Sequence, residues 1–563
     1  MEQTSDEFVY TNSSIDDFEK YPFLEKVIEK FPDSNNQSHR GEINFNNVFS
    51  TSGRMQAISE AQIVVPYMQS IQSDKDITGV SNTIPNPYIT SFKSGTQQLL
   101  SSIQVSLNGY KVLQRTDNLN QYVDFYIKTN WGQDTLEKYG DLTFNHIDDA
   151  SGYLKNTDAT GSPDGKYFCN NRVFGDGDPR TFTASTPKVD TNKGLRKRLL
   201  NNANYKDGNG GTGWVNVDTL NDAGKCYYDT EGSGADRIYK FYFMAVIRLK
   251  DLPLFSKLPL MRGVKLDISI RYNACRYGIT VTNGVDKANN MYQTSYTQLY
   301  GNCNPMMLAS GKKGNPMYQS AILKEADDNT TSGATVVLTC ECNVGQTVNP
   351  QAFHSIERTC YLYIPTYRLD ERYQMEYLSK GVKTIEYNDI INDVYDVPAS
   401  STSFSKNISD QVVNPKQLII IPFDYSETSD TTFALNSPFD TAPGTPHGIV
   451  LSDLNITVSG RNVWNEPIDY DFENFSNELA KTGANGGSSN SVGTGLISYR
   501  NWSDGMRYYV ADLSRISADN PGSNLSITVK GKKKNGLAVR LYFFITYGRS
   551  LSLDLNTGFV TSQ

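Results

Sequence analysis

Between residues 264 and 272, Val264, Leu266, Ile268, Ile270 and Tyr272 alternate with Lys265, Asp267, Ser269 and Arg271. A period of two puts the two sets on opposite faces of a pleated strand, one for a core and one for solvent. In residues 238–249, Tyr239, Phe241, Phe243, Ala245, Ile247 and Leu249 fall on one face in the same way. Near the end, Leu525, Ile527 and Val529 precede Asn535-Gly536, and Leu537, Val539, Leu541, Phe543, Ile545 and Tyr547 follow it. Asn-Gly between two alternating runs predicts a β-hairpin. The chain therefore reads as all-β.

The pattern also repeats. Residues 103–112 match residues 454–463, with Ile103, Val105, Leu107 and Val112 aligned on Leu454, Ile456, Val458 and Val463, and Gly109 on Gly460. Each copy reads as a strand ending in a glycine turn. An aromatic, helix-like segment follows each: Tyr122, Phe125 and Tyr126 in the first, Phe472, Phe475 and Leu479 in the second. Both halves then return to strands, which implies two similar domains in tandem. They differ in one place: about 108 residues separate the helix-like segment from the next strand in the first half, and about 26 in the second. The stretch at about 130–236 is rich in Gly, Asp and Asn and reads as an insertion crowning the first domain. Segments 274–315 and 427–447 read as further loops, and Gly483–Gly495 as a Gly/Ser/Asn-rich one.

The expected organisation is an acidic N-terminal arm with a helix over residues 1–42, a first domain over 43–285, a linker over 286–315 and a second domain over 316–563. The helix is read from Ile15, Phe18, Leu24, Val27, Ile28 and Phe31 at near-helical spacing, with Ser14 and Asp17 as a start signal. A length of 563 residues allows two large β domains or three to four ordinary ones, each able to bury a core.

Formal charge is −8, and residues 1–33 alone hold nine carboxylates against three lysines. A chain that neutralises phosphates needs a basic face. Only short basic runs occur, Arg196-Lys197-Arg198 and Lys532-Lys533-Lys534, and both read as solvated loops. Direct nucleic-acid binding is not expected. Seven irregularly spaced cysteines and no apolar N-terminal run point to reduced thiols and assembly inside a cell. The Asn-x-Ser/Thr sites at Asn407, Asn455, Asn501 and Asn524 then read as composition rather than glycosylation.

No catalytic, cofactor-binding or metal-ligating residue is assigned. Four scattered histidines, His39, His146, His354 and His447, give a general base or metal centre little support. Cys340-x-Cys342 with His354 and Cys360 is the best metal candidate. Its one-residue spacer inside a strand instead suits two small core residues on one face. Gly208-x-Gly210-x-x-Gly213 matches a dinucleotide fingerprint by letters, without the strand before it or the helix after it that the chemistry needs. Asp176-Gly-Asp178 is too few ligands for calcium. A β-sandwich hydrolase would need converging carboxylates or a metal, and nothing singles out a pair.

Residues 460–479, from Gly460-Arg461 through Trp464, Pro467 and Tyr470 to Leu479, resemble the second jelly roll of double jelly-roll major capsid proteins, those of virophages and polinton-like viruses above all. Residues 258–273, 501–515 and the tail 547–563 are similar to other parts of the same family. The resemblance spans roughly residues 43–563. It implies two tandem jelly-roll β-sandwiches, a double jelly roll with short helices and long loop insertions. It also implies a homotrimer whose six jelly rolls make a pseudo-hexameric tile of an icosahedral shell. The implied partners are further copies of the chain, neighbouring capsomers, and penton and minor or cement proteins. The implied location is the virion capsid, with no enzymatic activity and no cofactor. The alternative is a viral spike or β-sandwich glycan-binding protein, for which Trp131 and Trp214 would be the exposed aromatics. A core or interface role suits both better.

Overall fold

The computed structural model of this chain turns the alternating runs into strands whose apolar sides meet across two sandwiches. It describes residues 23–49, 53–73, 88–147, 154–157, 163–169, 198, 205–207, 212–214, 226–231, 238–283, 292–301, 303–310, 335–344, 359–424, 449–481, 494–504, 506–516, 523–534 and 538–562. Val264, Leu266, Ile268, Ile270 and Tyr272 are buried, while Lys265 and Arg271 are exposed. Phe241, Phe243, Ala245 and Ile247 sort inward in the same way, as do Leu525, Ile527 and Val529.

Eight strands form the first sandwich: β1 (Phe23–Pro32), β2 (Glu42–Val48), β3 (Gln62–Ser73), β4 (Leu100–Leu107), β5 (Tyr110–Leu113), β6 (Ile238–Arg248), β7 (Leu266–Tyr272) and β8 (Tyr361–Leu369). One sheet contains the order β1-β8-β3-β6, and the other is β2-β7-β4-β5. Eight more form the second: β9 (Val382–Val397), β10 (Ser403–Val412), β11 (Pro415–Asp424), β12 (Leu451–Val458), β13 (Arg461–Asn462), β14 (Tyr509–Asp512), β15 (Leu525–Lys533) and β16 (Val539–Asp554). Its sheets are β9-β16-β11-β14 and β10-β15-β12-β13. Both sandwiches thus pair their first, eighth, third and sixth strands in one sheet and their second, seventh, fourth and fifth in the other. That is the jelly-roll order, and the chain is a double jelly roll.

The sequence repeat has a structural basis. Residues 103–112 lie on β4 and β5, and 454–463 on β12 and β13, the equivalent strands. Gly109 and Gly460 turn the chain between them with φ of +80° and +82°, a conformation that favours glycine. Helix α1 (Leu119–Asn130) follows β5, and a helix over Phe472–Lys481 follows β13. The expected insertion falls between β5 and β6. Its described parts include α2 (Gln133–Thr143), two short antiparallel ribbons and a strand, Cys226–Glu231, paired with β6.

Several expectations are corrected. The described part of the predicted 14–31 helix is strand β1, antiparallel to β8. Val27 and Phe31 are four residues apart, a spacing that serves both a helix and a strand, and pairing with β8 decides between them. The first roll does not end at 285. β8 lies beyond it, and Thr335–Val344 pairs with β3 as well, so the region expected as linker and the start of the second domain belongs to the first. The expected loop 274–315 contains the paired strands Cys275–Asn283 and Tyr292–Tyr300. The turn at Asn535-Gly536 lies outside the described residues, but its flanking strands do not form a hairpin: β15 pairs with β10 and β12, and β16 with β9 and β11. The chain crosses there from one sheet to the other. Segment 427–447 and most of Gly483–Gly495 lie outside the described residues. Neither basic run is wholly solvated. Arg198 is buried and donates to the His146 carbonyl, and Lys533, on the inward side of β15, donates to the Pro398 carbonyl.

The two rolls share a polar and aromatic seam. Helix α1 carries Asp124, which has no exposed side-chain surface and is paired with Lys128 at 2.5 Å. Ser94 Oγ and Gln97 Nε2 also donate to Asp124, and Tyr508 of the second roll reaches its carboxylate at 3.4 Å. Phe125 packs edge-on against Tyr508, and Tyr122 lies against Phe544. The Lys128 carbonyl, near the end of α1, accepts from Leu496 N, so the second roll satisfies a group the helix leaves open. A Cβ on Gly495 would come within 2.4 Å of the Thr129 carbonyl oxygen, so only glycine fits there. Farther along, Tyr387 donates to the Val112 carbonyl, Thr116 to that of Ile390, and Tyr377 to that of Leu260.

Three outcomes follow. Asp124→Ala strands the Lys128 ammonium in the seam and destabilises the protein by about 3–5 kcal/mol, while Asp124→Ala with Lys128→Met recovers most of the loss in urea unfolding. Removing residues 1–33 deletes β1 and yields insoluble or protease-sensitive protein. Glu42 on β2 bonds Arg271 at 2.9 Å and Arg115 at 3.1 Å. The Arg271 bond, opposed by partial burial and reinforced by Arg115, holds its carboxyl below the ordinary 4.5. A depressed pKa stabilises the fold above that value and ceases to do so as pH falls through the folded one. The melting-temperature advantage of wild type over Glu42→Gln should therefore narrow as pH drops below 4.5.

Candidate functional site

Most of the letter motifs dissolve on folding. Cys340 and Cys342 lie on the same inward side of their strand, both buried, as small core residues would. Cys342 stands opposite Cys275 on the neighbouring strand, with the sulfurs 3.2 Å apart. The strands Tyr205–Asp207 and Thr212–Trp214 pair antiparallel, so Gly213 lies on a strand where a nucleotide site has a helix, and Gly208 and Gly210 lie outside the described residues. Trp131 is buried, and its Nε1 donates to Asp251 at 3.0 Å. His354, His447, Asp176, Asp178 and the Trp214 side chain lie outside the described residues. His146 pairs with Asp141 at 2.9 Å.

One cluster gathers what the sequence leaves scattered. Asp33 follows β1, His39 sits in the loop before β2, and Cys360 immediately precedes β8. Pairing of β1 with β8 brings Asp33 to Cys360, and two hydrogen bonds, one between backbones and one from backbone to side chain, hold them. Asp33 N donates to the Cys360 carbonyl at 2.9 Å, and Cys360 N donates to Asp33 Oδ2 at 2.5 Å. Asp33 Oδ1 accepts from Asn35 N, which tightens the loop that presents His39. His39 Nε2 then lies 3.3 Å from Asp33 Oδ2 and 3.6 Å from Cys360 Sγ. The Asp33 and His39 side chains are 0% and 1% exposed. Burial raises the Asp33 pKa, but the His39 bond and the amides of Asn35 and Cys360 outweigh it and hold the carboxyl low. Burial, then the nearby Asp33 charge, pushes the Cys360 thiol well up. Sequence reading paired Cys360 with His354 and missed Asp33 and His39. The only local signal was an Asp and a His six positions apart, and their meeting with Cys360 depends on strands more than 300 residues apart.

Two surface features lie at or near the seam. A cleft of about 530 Å³ runs between the rolls, lined by Tyr122, Tyr126, Glu386, Lys416 and Arg549 among others. Its charges are of mixed sign and include no close pair of carboxylates. At one end of the second roll, α3 (Glu371–Ser379), the start of β9 and the turn after β16 are held together: Leu555 N donates to the Gly381 carbonyl and Asn556 Nδ2 to that of Leu378. These elements expose Met375, Val382 and Phe559, each more than 60% accessible. Large apolar side chains grouped on the surface mark sites of association.

No protein-family model matches the chain, and no curated protein does. Solved structures with a similar arrangement include a chain of the Sputnik virophage at 9% identity and TM-score 0.49, covering 97% of this chain and 89% of that one. The mavirus major capsid protein is similar at 9% identity and TM-score 0.43, covering 97% and 93%. The Faustovirus major capsid protein is similar at 7% identity and TM-score 0.42, covering 96% and 92%.

Proposed function

We propose that this chain is a major capsid protein that forms a homotrimeric, pseudo-hexameric capsomer and tiles an icosahedral virus shell. The observation that carries this reading is the repetition of one strand order in two sandwiches of a single chain. Three such chains around a threefold axis present six sandwiches, a near-sixfold outline, while each roll keeps its own lateral surface. Association of this kind buries large apolar area at obligate interfaces. The exposed Met375, Val382 and Phe559 supply apolar surface for it. The sequence resemblance over residues 460–479 points the same way. No catalytic step is assigned, and the protein works by shape and association in the virion capsid. Penton and minor or cement proteins are the further partners, and direct sequence-specific nucleic-acid binding is not part of this role. The spike or glycan-binding alternative loses one of its two candidate aromatics, since Trp131 is in the core.

Light scattering of the purified protein tests the reading. A species near three times the 62.8 kDa chain mass, persisting on dilution, is expected. A stable monomer would count against it. Replacing Met375, Val382 and Phe559 together by Glu should weaken association at least tenfold in sedimentation, with the melting temperature little changed. Unaltered assembly would remove this surface from the proposal.

A further inference from the structure

We propose that Asp33, His39 and Cys360 bind one zinc ion, which locks the start of the first roll to its last strand. Two arrangements could bring a thiol, an imidazole and a carboxylate together. In a proton relay the imidazole uses one ring nitrogen for each partner. Here Asp33 Oδ2 and Cys360 Sγ both face the same atom, His39 Nε2, at 3.3 and 3.6 Å. Three donors that converge on one point describe a coordination site rather than a relay, and all three donor atoms lie within 4.8 Å of one another.

The two separations from His39 Nε2 fit a tetrahedral ion. With Zn–N and Zn–O near 2.0–2.1 Å and Zn–S near 2.3 Å, the tetrahedral edges are about 3.3–3.4 Å for N···O and about 3.6 Å for N···S. The observed separations of 3.3 and 3.6 Å already have those lengths. Mixed thiolate, imidazole and carboxylate ligation selects zinc over calcium or magnesium, which take oxygen ligands alone. The donors are pre-oriented. The Asp33 carboxylate is held by the amides of Asn35 and Cys360, and Asp33 N donates to the Cys360 carbonyl. Three protein donors leave a fourth position for water. The site joins the end of β1, the β1–β2 loop and the head of β8, so binding free energy adds directly to closure of the first roll.

Titration of the full-length, metal-depleted protein with Co²⁺ tests this. One equivalent per chain is expected, with a thiolate-to-cobalt charge-transfer band that Zn²⁺ displaces. Cys360→Ser, close in size, should abolish the band and the stoichiometric uptake while keeping the fold, as judged by circular dichroism. A chelator should lower the melting temperature of zinc-loaded wild type and leave that of Cys360→Ser unchanged. If Cys360→Ser fails to fold, His39→Gln takes its place, and a band reduced at least tenfold in affinity supports the site. Folded wild type that takes up no Co²⁺ or Zn²⁺ overturns the proposal. So does a band that persists in Cys360→Ser, which would place the metal on other thiols such as Cys275 and Cys342.

Discussion

A carboxylate without solvent, Asp124, sits where the two jelly rolls meet, and the arrangement of the whole chain depends on its being satisfied. An ionised group taken out of water is tolerable only when paired and hydrogen-bonded. Asp124 meets that condition with partners from its own helix, from the turn at residues 94–97 and from the second roll. Moving one roll against the other would break the Tyr508 contact and expose the aromatic pairs Phe125–Tyr508 and Tyr122–Phe544. The apolar seam supplies area, and the carboxylate supplies position. Gly495, which admits no side chain against the Thr129 carbonyl, sets how closely the second roll can approach α1.

Around this seam the two rolls are equal in strand order and unequal in what they insert. The first carries its extra residues in two connections. One, between β5 and β6, holds α2 and short ribbons, and the other, between β7 and β8, holds four paired strands among its described residues. The second connection extends the sheet rather than leaving it. One edge of β3 pairs with β8 at residues 62–64 and with Thr335–Val344 at residues 67–73. A long strand shared by two successive partners lets an insertion join the core sheet without displacing the strand that closes the roll. Equivalent frames with different additions give two rolls that share a strand order and differ in what their connections carry.

Individual strands were legible in the sequence, and so was the duplication. Alternation at 264–272 and the match of 103–112 to 454–463 depend on local spacing and on a glycine turn, which a linear reading captures. Partnership was not legible. Residues 14–31 read as helix from apolar positions such as Val27 and Phe31 that suit either period, and what decides for the described part is β8, more than 300 residues away. The flanks of Asn535-Gly536 read as a hairpin because the turn signal is local, whereas each strand finds its partners in an opposite sheet. Arg198 read as solvated because its run is basic, yet the His146 carbonyl draws it into the core. The Asp33, His39 and Cys360 cluster was hidden for the same reason: its members are a product of strand order.

Closure of the first roll illustrates what that order demands. β1 cannot pair until β8 exists, so the sheet holding residues 23–32 stays open until the chain has extended through residue 369. The second roll closes between Val382 and Asp554, a shorter span with a smaller insertion. Loop-closure entropy grows only logarithmically with length, so the long span is affordable at equilibrium but slows formation of the contact. Until it forms, β8 is an unpaired edge, the kind of surface that captures another chain. Once paired, β1 becomes the outer edge itself. Its outward side carries Lys26 and Lys30, and Lys30 stacks over the ring of Tyr361 at 3.4 Å. Charged side chains on an edge strand oppose indiscriminate pairing, while Leu24 and Ile28 remain exposed between them. The same strand therefore closes the roll and caps its edge.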